Sequence, residues 1–258
     1  MSEAFKAREM LGGVWQIEEA MGVCTTLLCG TERALLVDTG YGLNDLCAYV
    51  RTITDKPLTV LLTHAHHDHA LGARWFSEVR LFEADFPAYA RYTGERQRQA
   101  VRKQALNEGL CVPADFLTAP MVRPAPLEET SLDLGGLTAR VHLAPGHTPG
   151  SAMIDVPERA LLLTGDNWNP CTWLFFSEAL PAKAYRENLR RILRLSFAHV
   201  LCPHRFELFG RAEVDAFAAG LTDEALSAAP AVQMDFPFNT HQLSLPDGQR
   251  FVFDFDKL

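Results

Sequence analysis

His64, His66, Asp68 and His69 stand in a His-x-His-x-Asp-His spacing, with His67 between them. Imidazole nitrogens and a carboxylate in one short segment suit zinc and other borderline divalent ions. His64 and His66, two residues apart, converge from an extended turn, while Asp68 and His69 point at a second ion nearby. The plain alternative is a polar helix start, with Asp68 as its cap and the histidines in water. Three further metal-type residues each follow an apolar run: His147 in APGHTPGS, Asp166 in LTGDNW and His204 in LCPHRF. Taken singly these have plain alternatives too, Asp166 as a helix cap and the two histidines as loop residues. Taken together they form a set of seven oxygen and nitrogen donors.

The elements around these residues explain how they could meet. LTVLLTH (58–64) is a continuous apolar run of strand length, as expected for a strand buried on both faces. The histidine cluster therefore sits where a buried strand ends and a helix begins, running from Asp68 to Phe76. Loops at strand ends are preferred active-site positions in α/β folds. VWQIEE, VCTTLLCG and RALLVDTG read as strands, followed by a helix from Asn44 to about Ile53. Residues 83–108 read as one or two surface helices. Strands return in SLDLGG, LTARVHLAPG, SAMIDVP and RALLLTGD. PAKAYRENLRRILRL (181–195) is an amphipathic helix with Tyr185, Leu189, Ile192 and Leu193 on one face. HVLCPH is a strand, EVDAFAAGL a helix, and HQLSLPDGQRFVFDF a hairpin turning at Asp247-Gly248. No linker divides the chain, so residues 1–258 read as one domain. Two similar α/β halves predict two mixed sheets packed face to face with helices outside.

Composition bounds the partners. The 258 residues are 48% hydrophobic and 22% charged, as in globular proteins. No apolar run approaches the ~18 residues of a membrane helix. The charged start, MSEAFKAREMLGG, lacks the apolar segment of an export signal, so a cytoplasmic protein is expected. The net charge of −8, with no Lys/Arg cluster, disfavours a nucleic-acid backbone, and a polyanionic substrate unless a metal attracts it. The expected partner is a small-molecule substrate, and a homo-oligomer is left open. Six cysteines without a C-x-x-C pair read as buried free thiols.

With Asp38-Thr39-Gly40 closing an early strand, the seven donors resemble the metallo-β-lactamase-fold superfamily, in particular its dinuclear glyoxalase-II-like and lactonase-like hydrolases. The resemblance covers roughly residues 12–205. It implies an α/β (α+β) four-layered αββα sandwich. It implies that His64, His66 and His147 bind one metal, that Asp68, His69 and His204 bind another, and that Asp166 bridges both. Asp38 would hold the histidine loop by hydrogen bonds. The implied cofactors are two divalent ions, Zn2+ first, with Mn2+ or Fe2+ as alternatives. Asp68 and Asp166 are then the carboxylates of the catalytic centre. A hydroxide between the metals would attack the carbonyl of an ester, thioester, lactone or amide. The alternatives are a mononuclear iron-dependent sulfur oxygenase of the persulfide-dioxygenase kind and a metal-binding module without turnover.

Departures from the branches of the superfamily set limits. His66 occupies a position where the oxygen-reducing flavodiiron branch has a carboxylate. The antibiotic-hydrolysing members generally lack the aspartate that Asp166 supplies. Glyoxalase II has Gly-Cys-Gly-Arg after that aspartate and a helical glutathione-binding end, whereas here Asn-Trp-Asn-Pro-Cys-Thr-Trp follows. Lactonases of acyl-homoserines carry a tyrosine three residues on, where this chain has Asn169. The segment 168–176 is read as a loop beside the metals, with Trp168 and Trp173 as an apolar wall and Asn169 as a hydrogen-bonding contact for the substrate. The alternative is that its aromatics pack as core under the next helix.

Overall fold

The structure is a computed structural model that describes residues 4–258. Seven strands form a first sheet in sequence order: β1 (Phe5–Leu11), β2 (Val14–Glu19), β3 (Cys24–Cys29), β4 (Ala34–Val37), β5 (Leu58–Leu61), β6 (Arg80–Leu81) and β7 (Ala125–Pro126). It is antiparallel from β1 to β4 and parallel from β4 onward. Next come β8 (Thr130–Asp133), β9 (Thr138–Leu143), β10 (Ala152–Val156) and β11 (Leu161–Leu163). The chain then leaves for β12 (Cys171–Leu174) and returns with β13 (His199–Leu201) and β14 (Phe209–Gly210). The second sheet has the order β14-β13-β11-β10-β9-β8, with β11 and β13 parallel.

Period-two alternation sorts the side chains of these strands into layers. In β4, Leu35 and Val37 face the second sheet, while Ala34 and Leu36 face outward. In β11, Leu161 and Leu163 face the first sheet and Leu162 faces outward. The inward residues of both sheets form one buried cluster between them. Outside the first sheet, Leu46 and Val50 of α1 (Leu46–Ile53) and Ala88 and Tyr89 of α3 (Phe86–Tyr92) cover Leu36 and Val60; the one-turn helix α2 (His67–Ala70) precedes α3 and contributes Ala70 to the same layer. The helix α4 (Glu95–Asn107) follows. Outside the second sheet, Tyr185, Leu189 and Ile192 of α5 (Ala182–Ile192) and Val214 and Phe217 of α6 (Arg211–Gly220) cover Met153, Leu162 and Val200, and Leu226 of α7 (Asp223–Ala228) joins them. Four layers result, in the order αββα.

Three local expectations change. The cap of the helix after β4 is Asp45 rather than Asn44, and the helix begins at Leu46, because Asp45 accepts from the Ala48 N–H at 2.9 Å. The helix expected over 68–76 is α2 followed by a 3₁₀ turn, Leu71–Trp75. Gly72 lies against the Thr39 carbonyl, where a Cβ would stand 1.8 Å away, so the chain tightens there to pass the loop after β4. Finally, part of the expected loop 168–176 is the strand β12. It pairs in parallel with β16 (Arg250–Asp254), which is hairpinned to β15 (Thr240–Ser244), so the C-terminal hairpin adds a small third sheet over α5 and α6. That pairing joins positions some eighty residues apart, and a local pattern does not carry it. Among the described residues no helix is long and apolar enough to cross a membrane.

Candidate metal centre

The C-terminal ends of β4, β5, β9, β11 and β13 lie at one edge of the sandwich, because β4 and β5 are parallel, as are β11 and β13, and β9 and β11 each run antiparallel to β10. Asp38, the His64–His69 segment, His147, Asp166 and His204 follow these ends. The fold thus brings all seven expected donors together. His64, His66 and His147 form one group and Asp68, His69, Asp166 and His204 another, each with its donor atoms within 4.8 Å of one another. Asp166 reaches both. Its Oδ2 is 3.1 Å from His204 Nε2, 3.6 Å from His147 Nε2 and 4.0 Å from His64 Nε2, and its Oδ1 is 3.5 Å from His69 Nε2.

The outer nitrogens of four of these rings, His64, His66, His69 and His147, are held by the protein. Asp38 accepts from the Thr63 backbone N–H at 2.7 Å and holds His69 Nδ1 at 2.9 Å. It does so from a left-handed backbone, φ 67°, which is strained for a non-glycine residue and directs its carboxylate under the loop. Thr63 Oγ1, itself bonded to Asp38, contacts His64 Nδ1 at 3.1 Å. His147 Nδ1 faces the Trp173 carbonyl at 2.6 Å, and His66 Nε2 faces Glu178 Oε1 at 2.8 Å. A carbonyl only accepts, so His147 carries its proton on Nδ1, and the carboxylate asks the same of His66 Nε2. The two inward nitrogens, His66 Nδ1 and His147 Nε2, are then lone pairs 2.8 Å apart that need a proton or a cation between them. His64 Nε2, His69 Nε2 and Asp166 Oδ1 are buried in the same place with no hydrogen-bond partner. Convergent, unpartnered donors with their outer sides fixed fit a metal centre.

Electrostatics agrees. Burial, together with His69 and the other histidines, holds His64 well below its ordinary value, and burial takes His147 down to about 4, which leaves both rings neutral near pH 7. Burial opposes ionisation of Asp68 and Asp166, but the neighbouring His69 and His204 charges pull both well below the carboxylate range.

A cavity of about 900 Å³ opens above these groups. Trp173 and Asn169 line it, together with Phe176, Phe236 and Phe238. Trp168 does not. It is fully buried among Leu174, Tyr185 and Phe251, its indole N–H donates to Gln249 Oε1 at 3.0 Å, and its expected place in the wall is corrected to core. On β12 and the turn before it, Asn169 and Trp173 are directed to the cavity while Trp168 and Leu174 are directed to the α5 layer. Asn169 Oδ1 accepts from the Cys171 N–H at 2.8 Å, so that oxygen shapes the turn. Cys202 is core, its thiol pushed up to about 12 by burial.

Sequence reasoning missed Glu178, whose only local signal is its place after Phe175-Phe176-Ser177. It also receives the Tyr92 hydroxyl at 2.6 Å and Arg91 at 2.6 Å. Asp85 was missed as well. Buried, it accepts from the Ala65 and Gly150 N–H groups at 3.0 and 2.7 Å and from Thr148 Oγ1 at 2.8 Å, tying the histidine loop to the loop of His147.

Comparison with known proteins follows the same residues. The family model described as the metallo-beta-lactamase superfamily matches residues 21–204. The chain belongs to this superfamily. A relative in Gallus gallus named acyl-coenzyme A thioesterase MBLAC2 is 27% identical over 219 residues, covering 77% of this chain and 78% of the relative. The probable metallo-hydrolase YqgX of Bacillus subtilis (strain 168) is 28% identical over 139 residues, 54% of this chain and 63% of that protein. The solved structure of TTHA1623 in a di-iron-bound form aligns with a TM-score of 0.56 and 28% identity, covering 79% of this chain and 94% of that one. Members of the superfamily named as hydrolases and a metal-bound neighbour are consistent with a metal-dependent hydrolase.

Proposed function

We propose that this chain is a dinuclear metal-dependent hydrolase of acyl thioesters. In this proposal His64, His66 and His147 would hold one ion and Asp68, His69 and His204 the other, with Asp166 available to both groups. The carrying observation is the contact of Asp166 with members of both donor groups at the floor of a cavity with an aromatic wall. Such ions, zinc first, supply a water acidified to a pKa of about 7 and a Lewis acid for a carbonyl oxygen. Iron is the competing ion, since TTHA1623 was solved with two.

The protein's own groups do the rest. Asp38 and Glu178 orient His69 and His66, and so fix which nitrogens face inward. Trp173, Phe176 and Phe236 offer an apolar surface for the acyl group. The thioester reading is supported by the name of the Gallus gallus relative. In the overall reaction, water adds its oxygen to the acyl carbon, the C–S bond breaks, and a proton passes to the departing sulfur. The products are a carboxylic acid and a thiol.

Elemental analysis of protein made with zinc available should find close to two ions per chain. Asp166→Ala should lose one of them and lower the turnover of an acyl thioester by at least ~100-fold, as expected for loss of an activated nucleophile. Fewer than one ion in the wild type, or a fully metallated and fully active Asp166→Ala variant, refutes the proposal.

A further inference from the structure

The wall of the cavity carries aromatic rings and four arginines, Arg91, Arg96, Arg205 and Arg250, of which Arg91 is paired with Glu178 at 2.6 Å. The rings stand beside His66 and His147. The Phe176 ring centroid lies 4.9 Å from that of His66 and 5.8 Å from that of His147, and Phe236 packs on Phe176 at 5.7 Å and on Trp173 at 6.2 Å. Phe236 is 39% exposed, one of two large apolar side chains left so open among the described residues. Two of the arginines, Arg205 and Arg250, lie on the loop after His204 and on β16. Arg205 follows His204 directly, and Arg250 lies opposite Cys171 in the β12–β16 register, its backbone N–H donating to the Pro170 carbonyl at 2.9 Å. Both side chains are exposed and line the cavity. Among the described residues neither has a carboxylate partner within ion-pair distance.

The carboxylates lining the cavity are Asp68 and Asp166, both turned to the donor cluster. In a chain of net charge −8, unpaired arginines gathered at the mouth of one cavity run against the overall balance. Such a local field concentrates an anionic ligand there. Guanidinium groups are also suited to phosphate, which they grip through two parallel hydrogen bonds.

We infer that Arg205 and Arg250 form an anion subsite for the leaving thiol of a thioester, and that the thiol carries phosphate groups, as coenzyme A does. This deepens the thioesterase proposal and rests on it. The acyl chain lies on Phe176, Trp173 and Phe236, the phosphates lie at the arginines, and the C–S bond crosses the centre above Asp166. In this proposal the rings and the Arg205/Arg250 pair together set the direction in which the substrate enters.

The test compares two octanoyl thioesters, octanoyl-coenzyme A and the neutral octanoyl-N-acetylcysteamine, on metal-loaded protein. In the Arg205→Ala/Arg250→Ala double variant, the ratio of kcat/KM for the first over the second should fall at least about tenfold, mainly through KM, as expected for lost charge-assisted hydrogen bonds. The lysine double variant should recover part of the ratio, and rising salt should lower it in the wild type. Calorimetric titration with coenzyme A and with pantetheine gives a readout independent of turnover: the wild type should prefer coenzyme A, and the alanine variant should lose that preference. An unchanged ratio together with an unchanged preference overturns the subsite. A protein that hydrolyses neither thioester overturns the thioesterase proposal, and the calorimetric preference then decides the subsite alone.

Discussion

Glu178→Ala probes how far the metal centre depends on a residue that touches no metal. Glu178 Oε1 holds His66 Nε2 at 2.8 Å, and the side chains of both are nearly buried, 9% and 5% exposed. Truncation leaves the His66 N–H without its acceptor and frees the ring to turn its inward nitrogen away from His147. A hydrogen bond to a charged group contributes about 1.5–3 kcal/mol. Loss of an outer partner of a metal-binding histidine typically costs about 10–100-fold in affinity, which is roughly 1.4–2.8 kcal/mol. The two estimates agree. The loss should fall on one ion, the one assigned to His64, His66 and His147, because Glu178 makes no contact with the other group. Zinc competition against a chromophoric chelator should therefore show one tight and one weakened site per chain. Glu178→Gln keeps an acceptor without the charge, and should weaken that site about tenfold at most. Tyr92→Phe, which removes a second hydrogen bond to the same oxygen, should do less than Glu178→Ala. If Glu178→Ala binds both ions with wild-type affinity, the orienting role assigned to this carboxylate is wrong.

Other expectations follow from burial. Trp168→Ala should lower stability by about 3–5 kcal/mol in chemical denaturation, since it empties a fully buried site and leaves Gln249 Oε1 without the indole donor. Trp173→Ala, at the cavity, should instead raise KM for bulky acyl groups with little change in Tm; a large fall in Tm would move Trp173 to the core with Trp168. Glu19 is raised to about 8 by burial, with the Tyr41 N–H pulling the other way. Between its ordinary value and that one, the folded chain holds a proton that the unfolded chain releases, so this group's contribution to stability falls as pH rises through the window. Glu19→Gln imitates the protonated acid, and its Tm advantage over the wild type should be largest near about pH 9 and vanish near about pH 5. An advantage independent of pH would rule out this titration.

Much of the centre was legible because its information is local. His64, His66, Asp68 and His69 share one short loop, and an apolar strand before each of His147, Asp166 and His204 announces a strand-end position. The αββα layering was legible in the order of the elements: two similar successions of strands and helices predict two sheets packed face to face with helices outside. What the sequence did not carry depends on contacts across the chain. Glu178 reaches His66 from 112 positions away, and Asp85 reaches Gly150 from 65. Nothing in the neighbourhood of either carboxylate marks it as more than a polar surface residue. Trp168 and Trp173 lie five residues apart in a segment that looks uniformly aromatic. Only the pairing of β12 with the C-terminal hairpin, by closing a third sheet over α5, decides that one fills the core and the other faces the cavity. The same pairing brings Arg250 beside Pro170 and Cys171. Residue type and spacing determined which atoms could bind a metal; long-range strand pairing decided what surrounds them, because register and burial are properties of the assembled sheets.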